Sequence, residues 1–431
     1  MSAHVTRRSF LKGTAAAAAG VASGLGFPAI VSAQGGPIKI GVLHSLSGTM
    51  AISEVSLRDV VLMAVEEINA KGGVMGRKLQ PIVVDPASNW DLFAEKAKQL
   101  LLQEKVGVVF GCWTSVSRKS VLPVFENNNG LLFYPVQYEG EECSRNVFYT
   151  GATPNQQLIP AAEYLMSQEG GGYNKFYLLG TDYVFPRTAN KILRAFLLAK
   201  GVPEDSIAEE YTPFNHQDYQ TIVGKIKRFS AGGNAAVLST INGDSNVPFY
   251  KEFANQGLRS ENAPIMAFSV AEDELRGMDA SALVGHVAAW NYYQSIDAPQ
   301  NKRFVQAFKA YCKKNNLPGG DKRVTDDPME AAYFGVYVWK QAVEKAKTTD
   351  VDAVRAAVYG QEFLAPGGKI KMDEANHHTY KPVLIGEIQK DGQFKTVSRS
   401  KGLVKAEPWS EYTSPDKGCD WVKHKGTFKK A

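Results

Sequence analysis

Hydrophobic residues in the first third of the chain alternate between short apolar runs and longer segments with helical spacing. The run at residues 37–43 is typical of a buried parallel strand. Residues 54–70 repeat apolar positions every three or four residues, as an amphipathic helix does. The same alternation predicts further strands at 79–84, 106–110 and 131–133, and helices at 92–104 and 117–127. It indicates a parallel sheet covered by helices.

A second series of the same kind begins after residue 153. Its predicted strands are 175–179, 235–238 and 265–268, and its predicted helices end near 168 or span 188–200 and 246–256. Residues 287–291 then lead into amphipathic helices at 300–315 and 328–345. Short strands follow between residues 380 and 399, where Asp391-Gly392 marks a hairpin turn.

The two series predict an α/β fold of two doubly wound parallel-sheet lobes, joined by a multi-strand hinge. The length of 431 residues also exceeds what one hydrophobic core usually supports. We assign residues 37–152 and 287–366 to lobe I, and residues 153–286 and 367–420 to lobe II. Residues 421–431 form a predicted tail.

The first 33 residues predict an export signal. Arg7-Arg8 lies in a string typical of twin-arginine signals, and a weakly apolar stretch ends at Val31-Ser32-Ala33, a small-residue cleavage site. An N-terminal membrane anchor is the alternative, but the stretch is interrupted by Ser23 and Pro28. We expect cleavage before Gln34 and a mature protein in the periplasm.

Charge and cysteine usage exclude several functions. Without the three basic residues of the signal, 46 basic and 44 acidic residues remain, so the excess is only two and no nucleic-acid partner is predicted. The four cysteines lack the spacing of a metal site. One disulfide or buried free thiols are both open, and we expect no metal and no cofactor. The cysteines are Cys112, Cys143, Cys312 and Cys419.

Five loops that follow predicted strands combine aromatic rings with neutral hydrogen-bonding groups. In open α/β sheets such loops line the binding crevice. Aromatic faces and amide or hydroxyl groups suit a small uncharged planar ligand, and a sugar is the other option. No phosphate-binding glycine-rich loop occurs. The loops span residues 112–115, 134–140, 180–187, 240–244 and 270–274.

Two of these loops resemble type I periplasmic binding proteins, and more narrowly the urea and short-chain amide receptors of ABC transporters. The resemblance covers residues 38 to about 398, and its most specific strings are Tyr134-Pro135-Val136-Gln137-Tyr138-Glu139-Gly140 and Asp182-Tyr183-Val184-Phe185-Pro186-Arg187. It implies capture of the ligand by hinge closure. It also implies membrane permease subunits and their ATPases as partners.

The resemblance carries Ser115, Tyr134 and Tyr183 onto pocket positions of the family, and Asn242 and Glu272 onto pocket loops of the other lobe. Trp113 and the two tyrosines would cover the ligand's faces, Glu272 and Asn242 would accept its N–H groups, and Ser115 would donate to its carbonyl. The expected ligand-binding residues are Trp113, Thr114, Ser115, Tyr134, Gln137, Tyr138, Tyr183, Asn242 and Glu272.

Each assignment has a structural alternative. Trp113 and Tyr134 could belong to the core, Ser115 could cap a helix, and Glu272 could charge a first helical turn. Other polar residues are expected to have structural roles. Asp182 and Arg187 form a loop ion pair, Glu141 and Glu142 are charges at the rim, and His377 and His378 lie on the surface. His44 either lines the cleft or packs beside it.

An enzyme is the rival from another class, since urea and amides are hydrolysable. No G-x-S-x-G string occurs and no histidine adjoins a candidate nucleophile. We therefore expect no catalytic residues, with an amidohydrolase as the alternative. A branched-chain amino-acid receptor is the alternative within the class, although bulky Trp113 reduces the room for an amino-acid side chain.

Overall fold

The computed structural model describes residues 35–421. The predicted signal at residues 1–33 lies outside them, as does nearly all of the predicted tail. Among the described residues, no helix combines the length and apolar character needed to cross a membrane.

Lobe I begins with a fully parallel five-stranded sheet, in which the first strand pairs with the second and third. Its strands are β1 (Ile38–Leu43), β2 (Leu79–Val84), β3 (Val109–Gly111), β4 (Leu132–Tyr134) and β5 (Val147–Tyr149), in the order β2-β1-β3-β4-β5. Its helices are α1 (Ala51–Ala70), α2 (Trp90–Lys98) and α3 (Ser115–Asn127). All these elements except β5 were predicted.

Lobe II repeats the pattern with five parallel strands. The strands are β6 (Lys175–Thr181), β7 (Ile207–Thr212), β8 (Ala235–Thr240), β9 (Ile265–Ala267) and β10 (Val287–Trp290). The helices are α4 (Leu158–Met166), α5 (Val184–Ala199), α6 (Gln220–Ser230), α7 (Asn246–Asn255) and the short α8 (Glu272–Leu275). Strand β10 lies in this sheet because it pairs with β9 in parallel. The predicted lobe I boundary at residue 287 is therefore four residues too early.

The chain then returns to lobe I through three helices and a small antiparallel sheet. These are α9 (Pro299–Lys314), α10 (Asp327–Ala346), α11 (Val351–Val358), and strands β11 (Glu362–Ala365), β12 (Gly368–Met372) and β13 (Thr379–Tyr380). Trp339 of α10 and Met372 of β12 share one hydrophobic core with Val42 of β1. Residues 367–380 consequently pack with lobe I, where the sequence had placed them in lobe II.

The last strands, β14 (Leu384–Ile388) and β15 (Phe394–Arg399), extend the second sheet antiparallel to β10. They form the predicted hairpin, with Asp391-Gly392 in its turn. The sheet order is β15-β14-β10-β9-β8-β6-β7.

The chain passes between the lobes at three places, and buried polar side chains join these crossings. Asn291 donates from Nδ2 to the carbonyls of Gln156 (3.1 Å) and Pro382 (2.6 Å), one from each of the other crossings. Asp327 accepts from the Asn291 backbone N–H (3.1 Å) and from Lys381 Nζ (3.2 Å). These contacts define the hinge.

Residues 401–421, which follow β15, form a segment that we call the strap. A disulfide joins Cys419 to Cys143, with the Cα atoms 5.5 Å apart, while Cys112 and Cys312 are buried free thiols. The structure thus contains one disulfide and two buried free thiols, the two arrangements that the cysteine spacing had left open.

Candidate functional site

The lobe I half of the site begins where β3 and β4 end. Thr114 caps helix α3 by accepting from Ser117 N at 3.1 Å, so the capping role belongs to Thr114 and not to Ser115. The Tyr134 hydroxyl donates to the Trp113 carbonyl. Trp113 and Tyr134 are buried, and Trp113 Nε1 has no hydrogen-bond partner within residues 35–421.

Arg118, one turn into α3, organises the loop that follows β4. Its guanidinium is fully buried and contacts Glu142 Oε1 (2.8 Å), Glu139 Oε1 (3.1 Å) and Ser115 Oγ (3.1 Å). The Ser115 hydroxyl also donates to Glu139. Despite burial, the neighbouring Arg118 and Lys119 lower the pKa of Glu142 to about 2. Glu142 is thus a buried ion-pair partner and not the rim charge that the sequence suggested.

Tyr138 lies in a layer behind this network. Its hydroxyl contacts the Glu142 carbonyl (3.0 Å) and His378 Nε2 (2.6 Å), and its ring stacks on Tyr149 at 4.9 Å. In the structure, Tyr138 therefore supports the loop that carries Glu142. The surface prediction for His377 and His378 is wrong, because both are buried, and burial lowers the pKa of each to about 3.

Gln137 reaches across to lobe II. Its Nε2 donates to the Phe268 carbonyl at 2.7 Å and lies 3.5 Å from Ser269 Oγ, which donates to Asn242 Oδ1 at 2.6 Å. Asn242 Nδ2 in turn donates to the Thr240 carbonyl at 3.0 Å. The structure thus joins Gln137 and Asn242 through Ser269, a residue that no sequence pattern had singled out. Gln137 Oε1 is buried without a hydrogen-bond partner among the described residues.

Tyr183 precedes helix α5 at the carboxyl end of β6. It is partly exposed, and its ring lies 4.8 Å from Phe214, whose ring is 5.2 Å from Trp90 of lobe I. The pKa of its hydroxyl is raised, first by desolvation and then by nearby Tyr134 and Glu139 of lobe I. Tyr183 of lobe II therefore lies close to Tyr134 and Glu139 of lobe I. The predicted ion pair of Asp182 with Arg187 is present, at 2.8 and 3.0 Å.

Glu272 is the first residue of α8 and is buried. Its Oε1 accepts from Gln294 N at 2.7 Å, and Oε2 has no hydrogen-bond partner within the described chain. Desolvation raises its pKa to about 8, with smaller contributions from Asp327 and Glu274.

The two lobes are closed on each other along a seam of hydroxyl and carboxylate groups. From lobe I, Ser53 Oγ donates to Glu274 Oε1 at 2.5 Å, and the Ser56 and Thr49 hydroxyls donate to Asp273 and Asp244. We call these six residues the closure seam. Their contacts bring α1 against both lobe II loops that carry Asn242 and Glu272.

The buried cations around the site are already paired with carboxylates. Arg118 contacts Glu139 and Glu142, Arg323 contacts Asp59 at 3.1 Å, and Lys381 contacts Asp327. Glu272 contributes a further carboxyl group. The arrangement favours a ligand that brings N–H donors and no negative charge. Within residues 35–421, no group of three or more His, Cys, Asp or Glu side chains could hold a metal ion.

Two family models match the sequence. Residues 38–415 match the periplasmic binding protein domain, and residues 4–24 match the twin-arginine translocation pathway signal sequence.

The chain is also similar to curated proteins. Leu/Ile/Val-binding protein homolog 6 of Brucella melitensis is 25% identical over 372 residues, which cover 83% of this chain and 89% of that protein. A limonene hydroxylase of Geobacillus stearothermophilus is 31% identical over 131 residues, 30% of this chain. That alignment spans only 23% of the hydroxylase.

Solved structures share the fold at low sequence identity. A solute binding protein of an ABC transporter from Rhodopseudomonas palustris, in complex with 3,4-dihydroxybenzoic acid, superposes with a TM-score of 0.73 at 20% identity, covering 85% of this chain and 98% of that one. A leucine binding protein from Thermotoga maritima gives 0.69 at 18% identity, with coverage of 84% and 98%.

Proposed function

This chain belongs to the periplasmic binding protein domain family, and from that premise we propose that it is the solute receptor of an ABC transporter for urea or a short-chain amide. Its twin-arginine signal directs it to the periplasm. There the lobes close on the ligand, and the closed form is recognised by permease subunits whose ATPases drive uptake. The protein binds and releases its ligand unchanged.

The charge balance of the site carries this proposal. Arg118, Arg323 and Lys381 each contact a carboxylate, so a ligand carboxylate would have to compete for them. Among the expected ligand-binding residues, the buried polar atoms without a partner in the described chain are the acceptors Gln137 Oε1 and Glu272 Oε2 and the donor Trp113 Nε1. Urea offers four N–H donors and one carbonyl, which matches an acceptor-rich site with a few donors.

A branched-chain amino acid is the second candidate. The Brucella relatives are named as Leu/Ile/Val-binding homologs, and Glu272 could accept from an ammonium group. The α-carboxylate of such a ligand would find Arg118, Arg323 and Lys381 already paired with carboxylates. A buried carboxylate without a cation is strongly disfavoured, and we therefore rank this ligand class second.

Calorimetric titration of the purified mature chain distinguishes the candidates. Urea, acetamide, leucine and 4-hydroxybenzoate are titrated separately, with an ammonia-release assay run on the same protein. We expect heat from urea or acetamide and no ammonia. Heat from leucine or 4-hydroxybenzoate alone would overturn the ligand class, and sustained ammonia release would establish an amidohydrolase instead.

Tyr183→Ala is expected to weaken urea or amide binding at least about tenfold, or about 1.4 kcal/mol. The substitution removes the lobe II ring that lies close to Tyr134 and Glu139 of lobe I. Tyr183→Phe separates the contribution of the hydroxyl from that of the ring. Tyr173→Ala is the matched control. This tyrosine is also half-buried, but it precedes β6 at the amino end of the strand, whereas Tyr183 follows the carboxyl end. Equal affinities for Tyr183→Ala and the wild type would remove Tyr183 from the site.

Ligand binding is expected to release a proton near pH 7. The Glu272 carboxyl group has a pKa of about 8 and is therefore mostly protonated there, whereas an N–H donor from the ligand favours the ionised form. Affinity should rise from pH 6 to pH 8, by no more than tenfold per pH unit, and then level off.

Calorimetry in two buffers with different ionisation enthalpies measures this proton directly. Glu274 and Glu330 also have pKa values of about 7, so Glu272→Gln is needed to assign the effect, and it should flatten the profile. Affinity that falls above pH 8 would instead mean that the protonated carboxyl group donates to the ligand carbonyl.

A further inference from the structure

Glu54 and His44 form a fully buried pair at the start of lobe I. Glu54 lies in the first turn of α1, and His44 follows β1 at its carboxyl end. Glu54 Oε2 accepts from Ser45 N at 2.7 Å and lies 3.3 Å from His44 Nδ1. Two atoms of the pair, Glu54 Oε1 and His44 Nε2, have no hydrogen-bond partner within residues 35–421.

Glu54 Oε1 and His44 Nε2 take no part in holding the turn after β1. A single oxygen, Oε2, holds the turn after β1, because both contacts of the carboxylate go to that atom. Since a carboxylate can only accept, its neighbour His44 Nδ1 carries the hydrogen of this contact, and Nε2 on the other side of the ring is left without a partner among the described residues. Buried polar atoms without partners are rare in folded proteins, and a bound ligand is one of the few ways to satisfy them.

The pair lies at the edge of the site. Cys112 N donates to the Leu43 carbonyl at 2.9 Å, so His44 and Trp113 each follow one of two bonded strand ends. On the other side, Ser53, the neighbour of Glu54, contacts Glu274 of lobe II at 2.5 Å. Asn242 is close as well, because Gly243 abuts the Thr49 carbonyl just before α1.

We infer that Glu54 contacts the ligand through Oε1, and that His44, held by Glu54, contacts it through Nε2 as a second polar group from lobe I. This inference rests on the proposed function and deepens it, since it gives the ligand N–H groups partners on both lobes. Glu54 and His44 face one end of the ligand, while Gln137 and Glu272 supply the other acceptors. The site then selects neutral molecules that carry several N–H groups, and N-alkylation of the ligand weakens binding.

Glu54→Gln tests the inference with almost no change in shape. The amide oxygen can keep the bonds to Ser45 and His44, which turns the NH₂ group toward the position of Oε1. An acceptor thereby becomes a donor that opposes the ligand N–H. We expect the affinity for urea or acetamide to fall at least about 30-fold, with the melting temperature changed by less than about 3 °C.

Glu67→Gln is the matched control, since Glu67 lies on the same helix and accepts from the Tyr333 and Tyr337 hydroxyls outside the site. It should leave the affinity unchanged. If Glu54→Gln binds like the wild type, Glu54 is purely structural and the inference is wrong. If the wild type binds neither urea nor acetamide, the proposed function fails, and the inference fails with it.

A crystal structure of the wild-type protein with urea or acetamide provides a measurement that does not depend on the variant folding. A ligand nitrogen within about 3.2 Å of Glu54 Oε1 supports the inference. A ligand that lies more than about 4 Å from both Glu54 and His44 overturns it, even if the proposed function holds.

Discussion

Replacing Arg118 with methionine is expected to lower the free energy of unfolding by about 3–5 kcal/mol at pH 7. The guanidinium is fully buried between Glu139 and Glu142, and its central carbon Cζ lies 4.8 Å from the ring centre of Tyr134 and 4.6 Å from that of Tyr138. Methionine fills a similar volume but leaves two buried carboxylates with only the partly exposed Lys119 as a cation. Thermal or guanidinium unfolding, followed by circular dichroism, measures this loss of stability. Urea is not used as the denaturant, because it is a proposed ligand.

The pH dependence identifies the cause of this loss. In the wild type, Glu142 has a pKa of about 2, below its ordinary value, so its stabilising contribution is present at neutral pH and is lost only as pH falls toward 2. Without Arg118, burial raises the pKa of this carboxyl group, and the variant becomes more stable as the group takes up a proton. The difference between the two proteins should therefore narrow below about pH 5.

Arg187→Met is the control for this experiment. Arg187 makes a bidentate pair with Asp182, but both side chains are about half exposed, at 53% and 50%. Exposed pairs of this kind contribute little, so the unfolding transition should hardly move. If Arg118→Met and Arg187→Met lower the free energy of unfolding equally, the buried Arg118 network contributes no more to stability than an exposed ion pair.

The Arg118 network also explains how the fold prepares the site. Residues 134–142 contain three of the expected ligand-binding residues, yet they form no regular secondary structure after β4. The ionic contacts of Glu139 and Glu142 hold this loop against α3. The expected ligand-binding groups on the loop are therefore held in place by these contacts.

The parallel sheets could be predicted because their strands are continuous apolar runs separated by amphipathic helices. β1 and α1 show this pattern clearly. Strand β7 was missed because it lies at the edge of its sheet and carries the charged residues Glu209 and Glu210 in succession, on opposite faces. Edge strands commonly carry charged side chains, and these interrupt the apolar run that marks a central strand.

The boundaries between the lobes depend on which sheet a strand joins, and composition does not encode that choice. The Val287–Trp290 segment would fit either sheet as an apolar strand. It joins β9 because the hinge crossing comes after it, where Asn291 contacts the other two crossings. The assignment of residues 367–380 failed for the same reason, since β12 and β13 form a separate small sheet.

The loops of the candidate site could be predicted in part, and their ligand-binding role stays a prediction. The loops that hold Trp113, Tyr134, Tyr183, Asn242 and Glu272 were identifiable because aromatic and polar residues follow strand ends. Arg118, Ser269 and the closure seam were missed, since their roles come from pairs far apart in sequence, such as Ser53 with Glu274. The spacing of Glu139 and Glu142 near an arginine in the preceding helix was the one local signal for a buried network.

Removing the disulfide with Cys143→Ser and Cys419→Ser is expected to lower the free energy of unfolding by about 2–5 kcal/mol. The bridge closes a loop between cysteines 276 positions apart, so the unfolded chain gains much freedom without it. The folded state should persist, because the strap also contacts lobe I through Trp421 Nε1 and the Ala375 carbonyl (2.8 Å) and through Glu141. The wild-type protein in reductant should unfold like the double variant.

Limited proteolysis shows where the stability is lost. In the double variant, cleavage should appear first within residues 401–421, while oxidised wild-type protein resists it under the same conditions. Reductant should have no further effect on the variant, since Cys112 and Cys312 are free thiols in the structure. Four reactive thiols in the denatured, unreduced wild type would mean that the bridge does not form. Identical unfolding of oxidised and reduced wild type would mean that it forms but contributes nothing to stability, because other contacts already fix the strap.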